Sequence, residues 1–176
     1  SNELELWMEP APEADYVLFK TYPICKWSGE LGPKLKEGDG QSPEGFYFVP
    51  ARRMNPNSQY HLSFDIGFPN DYDRHHKRTG SHLMIHGNCV SIGCYAMTDP
   101  GIDEIYTLCA AALRKGTPFF RVHVFPYRMT DEQMETLKED GPWFEFWSNL
   151  KEGYDYFEFL KRPPNVTVAE GRYQFE

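Results

Sequence analysis

Two side chains, His86 and Cys94, carry the clearest chemistry in this sequence, in the stretch G-S-H-L-M-I-H-G-N-C-V-S-I-G-C-Y-A-M over residues 80–97. A free thiol with a pKa near 8.5 is only a few per cent ionised at neutral pH, and an adjacent imidazole is the usual means of activating it. His86 is therefore the candidate base and Cys94 the candidate nucleophile. Gly93, just before the sulfur, lets the chain turn sharply and lets a substrate carbonyl approach the backbone. With Gly93 in place, the N–H groups of Cys94 and Tyr95 are expected to face a developing oxyanion. Gly87 and Ser91 are read as supporting positions. Ser91 either orients His86 or packs the turn, and the second role is favoured.

The same residues admit two other readings. His82, His86, Cys89 and Cys94 are all zinc-ligand types. If residues 82–86 are a strand, however, His82 and His86 lie about 13 Å apart at ~3.3 Å per residue, too far to share one ion. No metal and no cofactor is expected. A disulfide between Cys89 and Cys94 is allowed by their spacing and would hold the thiol inactive. Cys25 and Cys109 are read as structural, Cys109 on the core face of a helix.

The elements that must position this pair follow from hydrophobic period and turn chemistry. Leu83-Met84-Ile85 reads as a short buried strand running into His86. Tyr16 to Phe19 reads as another buried strand, and Phe46 to Val49 as a third, closed by Pro50. Residues 60–66 (Y-H-L-S-F-D-I) alternate, with Tyr60, Leu62, Phe64 and Ile66 on one face. Gly29 to Gly45 is a loop by composition. Residues 70–80 are a polar, cationic loop whose Arg74 and Arg78 are candidates to receive substrate carboxylates. Thr98-Asp99-Pro100 caps a helix with Ile102, Ile105, Cys109 and Leu113 on one face, ended by Gly116. Thr117 to Phe125 is a strand, and Thr130 opens a capped helix. Trp143, Phe146, Trp147 and Leu150 form a core stripe, and a terminal hairpin turns at Glu170-Gly171. Residues 1–14 are expected to be a flexible N-terminal arm and 15–176 one catalytic domain.

A net charge of -8 and the absence of any basic run argue against nucleic acid as a partner. No apolar stretch approaches the roughly 18 residues of a membrane span.

With those landmarks in place, the chain resembles the L,D-transpeptidase catalytic family of YkuD type. That family's signature is H-G, a spacer, then S/T-x-G-C, here His86-Gly87 and Ser91-Ile92-Gly93-Cys94. Two further stretches carry the resemblance: G-D-G-Q-S-P-E-G-F-Y over residues 38–47 and G-F-P-N over 67–70. The similarity is closest to the YafK/DpaA branch, which includes a peptidoglycan–lipoprotein amidase. It implies an α+β, mainly β fold, a β-sandwich-type catalytic domain with flanking helices. It also implies a periplasmic enzyme whose signal peptide is removed ahead of the Ser-Asn start. Cys94 would attack the carbonyl of the L-centre of meso-diaminopimelate in peptidoglycan stem peptides, with a peptidoglycan-anchored lipoprotein as a further partner. Three departures stand out. The spacer between His86 and Cys94 holds seven residues, shorter than in most of the family. Ile92 replaces a frequent His, and Ala96 replaces the Arg of G-C-x-R, which removes a bidentate carboxylate clamp. These departures favour an amidase that frees lipoprotein over a cross-linking transpeptidase or an L,D-carboxypeptidase. A peptidoglycan-binding module without turnover is the non-enzyme alternative.

Overall fold

The structure, a computed structural model, describes residues 2–176. It is a mixed α+β fold whose strands form four small sheets. The chain opens with β1 (Glu3–Met8) and β2 (Val17–Pro23), an antiparallel pair. Part of the stretch expected as a flexible arm is thus a paired strand. Arg128 also grips it, through Glu3 Oε2 at 2.9 Å and Glu5 Oε1 at 2.6 Å. Residues 16–19 differ from expectation too, because Val17, Leu18 and Phe19 of β2 are exposed and its buried residue is Tyr22.

β3 (Gly45–Pro50) runs into a single 3-10 turn, Ala51–Arg53, then β4 (Met54–Ser58) and β5 (His61–Asp65). The 70–80 segment is not wholly loop. Asn70 caps α1 (Asp71–His75) through a reciprocal capping box with Asp73. Such a short helix has too few apolar positions to show a period. β6 (Met84–His86) and β7 (Tyr95–Ala96) follow, then α2 (Asp99–Arg114), capped by Thr98 as expected. β8 (Phe119–Val124) pairs with β3. α3 (Asp131–Glu135), α4 (Phe144–Leu160) and the hairpin of β9 (Val166–Ala169) and β10 (Arg172–Phe175) complete the chain.

The sheet that matters most has the order β4-β5-β6-β7, with β6 and β7 parallel. Side chains alternate faces along each strand, and the register sorts them. Phe64 lies opposite Ile85, which lies opposite Tyr95. This row packs towards Ile102, Ile105 and Cys109 of α2 in the main core. The neighbouring rows point the other way. One is Asn55, Ser63, His86 and Ala96; the next is Asp65 and Met84, aligned with Cys94 one residue ahead of β7. A second core, built from Phe46, Tyr72, Met129, Phe146, Leu150 and Tyr173, joins α1, α4 and the terminal hairpin.

Candidate active site

Cys94 and His86 lie on one sheet face, on adjacent strands and two register positions apart. Their separation is that of a diagonal cross-strand pair. Two contacts hold the sulfur. The Met84 N–H donates to Sγ at 3.3 Å, and the thiol donates to the His82 carbonyl at 3.5 Å. His82 has left-handed backbone, φ 55°, and turns that carbonyl towards the sulfur.

His86 is buried, with the Tyr60 ring over it at 4.7 Å. Its Nδ1 lies 2.6 Å from the Gly87 carbonyl. A carbonyl only accepts, so Nδ1 carries the proton and Nε2 is left with the lone pair a base needs. Burial pushes the His86 pKa below the usual imidazole range, partly offset by the Gly87 carbonyl. Burial pushes the Cys94 thiol up, and the Asp65 charge adds to this, while the Met84 N–H and Lys34 oppose it. Both shifts favour the neutral forms, a thiol beside an imidazole.

The supporting positions resolve into distinct roles. Gly87 gives its N–H to the Tyr60 and Leu62 carbonyls at 3.0 and 3.2 Å. A Cβ there would sit 2.6 Å from Asp99 Oδ1 and 3.0 Å from the Tyr60 carbonyl, so no side chain fits. Ser91 packs the turn. Its hydroxyl donates to the Cys94 carbonyl at 2.6 Å and accepts the Gly93 N–H at 3.2 Å. Because the Gly93 amide is used in this way, it is not an oxyanion donor, and Gly93 serves instead through its backbone angle, φ 138°. Tyr95 enters β7 opposite Ile85, and its hydroxyl donates to the Pro43 carbonyl at 3.0 Å.

The two candidate arginines sit apart from this chemistry. Arg78 is buried, pairs with Asp73 Oδ1 at 2.9 Å, and stacks on Phe146 and Tyr72 at 4.7 and 5.0 Å. Its Nη1 is spent on Asp73 and the side chain is buried in the second core, away from solvent. Arg74 is exposed on α1, bonded to Asp71 and the Pro69 carbonyl.

The cysteine pairing also differs from expectation. Cys25 and Cys89 form the disulfide, with a Cα separation of 5.3 Å, and Cys94 is a free thiol. A bond between Cys89 and Cys94 is thereby excluded, as is Cys89 as a metal-binding thiolate. The bridge ties the loop after His86 to the segment where Lys26 pairs with Ala96. Two consecutive non-glycine residues of that loop, Asn88 and Cys89, have positive φ (65° and 43°). The Asn88 N–H is held by Asp99 Oδ1 at 2.7 Å.

Residues 38–47, a turn by sequence, are the support beneath the nucleophile. Asp39 accepts from Lys34 Nζ at 2.5 Å and from the amides of Leu35, Lys36 and Gln41. Burial raises the Asp39 pKa, but these donors outweigh it and hold it at about 2. The Ser42 hydroxyl donates to the Cys94 carbonyl at 3.3 Å. Glu44 accepts from Gly32 N–H at 2.7 Å and Trp147 Nε1 at 2.8 Å. Tyr47 donates to Asp73 Oδ2 at 3.1 Å. Ser42, Glu44 and Tyr47 thus have partners distant in sequence, while Asp39 holds its own loop. That partnership was not visible in the letters; the only hint was an unusual density of small and acidic residues in a turn.

Residues 17–124 match the L,D-transpeptidase catalytic domain family, YkuD. The chain is 52% identical over 158 residues to YafK of Escherichia coli strain K12, and equally to YafK of Escherichia coli O157:H7. Both carry L,D-transpeptidase in their names as a provisional assignment. The match covers 90% of this chain and 64% of theirs, so the chain spans just under two thirds of the length of these relatives. Among solved structures, the helical cell shape determining protein Pgp2 of Campylobacter jejuni superposes with a TM-score of 0.53 at 17% identity. That superposition covers 96% of this chain and 70% of Pgp2. At this identity the likeness is one of fold.

Proposed function

Because the chain belongs to the L,D-transpeptidase catalytic domain family, YkuD, we propose that it is a cysteine-dependent peptidoglycan-modifying enzyme. Its reaction opens an amide at the diaminopimelate carbonyl through a thioester on Cys94. One observation carries this reading: a partly exposed thiol held by Met84 N–H, one strand from an imidazole whose Nδ1 is fixed on the Gly87 carbonyl. Nε2 of His86 takes the thiol proton as Sγ attacks the carbonyl carbon, and the Cys94 N–H is the nearest amide for the resulting oxyanion. The intermediate collapses as the departing amine takes the proton from His86. Water, deprotonated by the same imidazole, then attacks the thioester and restores the thiol.

Hydrolytic release of a wall-anchored lipoprotein is the favoured form, in the periplasm. Its support is the short connection from His86 to Cys94, pinned by the Cys25–Cys89 bridge, which leaves room for a bulky leaving group. The missing Arg at position 96 also takes away one anchor for an acyl acceptor. Transfer to a second diaminopimelate amine, or release of D-alanine, would use the same first step. The test is digestion of muropeptides with and without attached lipoprotein, followed by product masses. Loss of the lipoprotein remnant with gain of one water supports the amidase. New cross-links or loss of D-alanine alone would replace it with the transpeptidase or carboxypeptidase. Cys94→Ala should abolish all three; release unchanged in that variant would sink the Cys94 reading, and binding without release by the unmutated protein would leave only a binding module.

A further inference from the structure

A cavity of about 520 Å³ adjoins the site through His82 and is assigned no part in the chemistry above. Its lining includes Arg52, Arg53, Asn55, Asp65, Ser81 and His82. His82 is the residue whose carbonyl accepts from the Cys94 thiol, so the cavity begins beside the sulfur. Asp65 lies opposite Met84, whose amide touches Sγ, and shares the sheet face of Cys94. Two strand spacings, roughly 9–10 Å, therefore separate the Asp65 and Cys94 backbones.

Of the three charged side chains that line this cavity, Arg52, Arg53 and Asp65, two are unspent. Arg53 gives its guanidinium to the Phe48 carbonyl at 2.6 Å and lies over the Phe48 ring. Arg52 is exposed on the adjoining 3-10 turn and has no bonded partner among the described residues. Asp65 accepts the Gly67 N–H on Oδ1 at 2.7 Å, which leaves Oδ2 available. In a chain of net charge -8, an unpaired guanidinium that lines the same cavity as a carboxylate with a free oxygen is a local exception. A simple anion would meet Asp65, and a simple cation would meet Arg52. A group carrying both charges on neighbouring atoms satisfies each.

We propose that this cavity is a specificity subsite for the free α-amino-acid end of a diamino-diacid residue, Arg52 receiving its carboxylate and Asp65 its ammonium. The inference rests on the acyl-transfer reading of Cys94 and deepens it. When the carbonyl at one end of such a residue lies at the sulfur, a three-methylene spacer carries the other end into the cavity. A lysine in the same position has the ammonium but no carboxylate, and would leave Arg52 unmatched.

The experiment is a calorimetric titration of the Cys94→Ala protein, so that binding is read without turnover. The probes are three stem peptides that carry diaminopimelate, its distal carboxamide, or lysine at the third position. The zwitterionic peptide is expected to bind about tenfold tighter or better than the other two, the scale of one charge-assisted contact. Adding Arg52→Gln should lower its affinity to that of the carboxamide while leaving the carboxamide itself unchanged. Arg52→Lys should restore part of the difference. Adding Asp65→Asn should weaken the zwitterionic peptide without affecting one whose distal amine is acetylated. Equal binding of all three peptides, no binding of any, or an unaltered preference in Arg52→Gln overturns the subsite. Thioester formation on the unmutated protein, read by intact mass, tests the underlying reaction separately. If no thioester forms while the preference persists, acyl transfer fails and the subsite stands. Equal rates on zwitterion and carboxamide would show the reverse.

Discussion

Cys94 and His86 are displaced in opposite directions, the thiol upward and the imidazole downward, both chiefly by burial. Both displacements favour the neutral pair, which leaves the proton to move when an electrophile arrives. Iodoacetamide labelling of Cys94, followed by mass spectrometry across pH, should give a midpoint above the ordinary thiol value of about 8.5. A midpoint below 7 would mean a resting ion pair instead. Gly87 gives a steric counterpart. Gly87→Ala places a methyl 2.6 Å from Asp99 Oδ1 and 3.0 Å from the Tyr60 carbonyl. It should cost about 1–3 kcal/mol in denaturant unfolding and reduce turnover by moving the imidazole off its carbonyl. Unaltered stability in that variant would show that the loop yields more easily than its contacts suggest.

At the scale of elements, the Cys25–Cys89 bridge closes a span of 64 residues and fixes the loop that separates His86 from Cys94. Removing it as Cys25→Ser with Cys89→Ser should lower stability by up to about 4 kcal/mol, by the chain-entropy estimate for a loop of that length. Turnover should also fall as Asn88 and Cys89 relax from positive φ. An active, equally stable double serine variant would deny the bridge both roles. The elements themselves were unevenly legible in the sequence. α2 declared itself through the Thr98 cap and the Ile102, Ile105, Cys109 period, and β5 through its alternation. α1 spans too few residues to show a period, and β1 is acidic and bounded by proline. Arg78 read as a surface cation because no local feature announces that Asp73, Phe146 and Tyr72 enclose it. The disulfide escaped for a related reason, since pairing across so long a span is fixed by topology rather than spacing. His86 and Cys94 were legible as a candidate pair because short motifs place them locally.

For the molecule as a whole, Glu44 links the support beneath Cys94 to the Gly32 loop and, through Trp147, to α4. Burial raises its pKa from 4.5 to about 7, against the pull of Gly32 N–H, Trp147 and Arg78. A folded pKa above the unfolded value means its contribution is fully present below about pH 4.5 and is lost as pH rises towards 7. Unfolding free energy should accordingly fall by about 3 kcal/mol from this group across that interval. Glu44→Gln should flatten the slope, even if its amide meets one donor badly and lowers the baseline. Denaturant titrations at several pH values would read both terms, and a slope unchanged in the variant would locate the titration elsewhere.

The short parallel connection from β6 to β7 has one more consequence. Parallel neighbours are ordinarily joined by a dozen residues or more, and here seven lie between His86 and Cys94. So brief a link is itself too short to fold over Cys94 as a flap. On the proposed amidase reading, shielding would come from the guest itself: while docked, a large leaving group would hold solvent back, and its departure would admit water to the sulfur. The bulk of what is released would thus set the moment of hydrolysis.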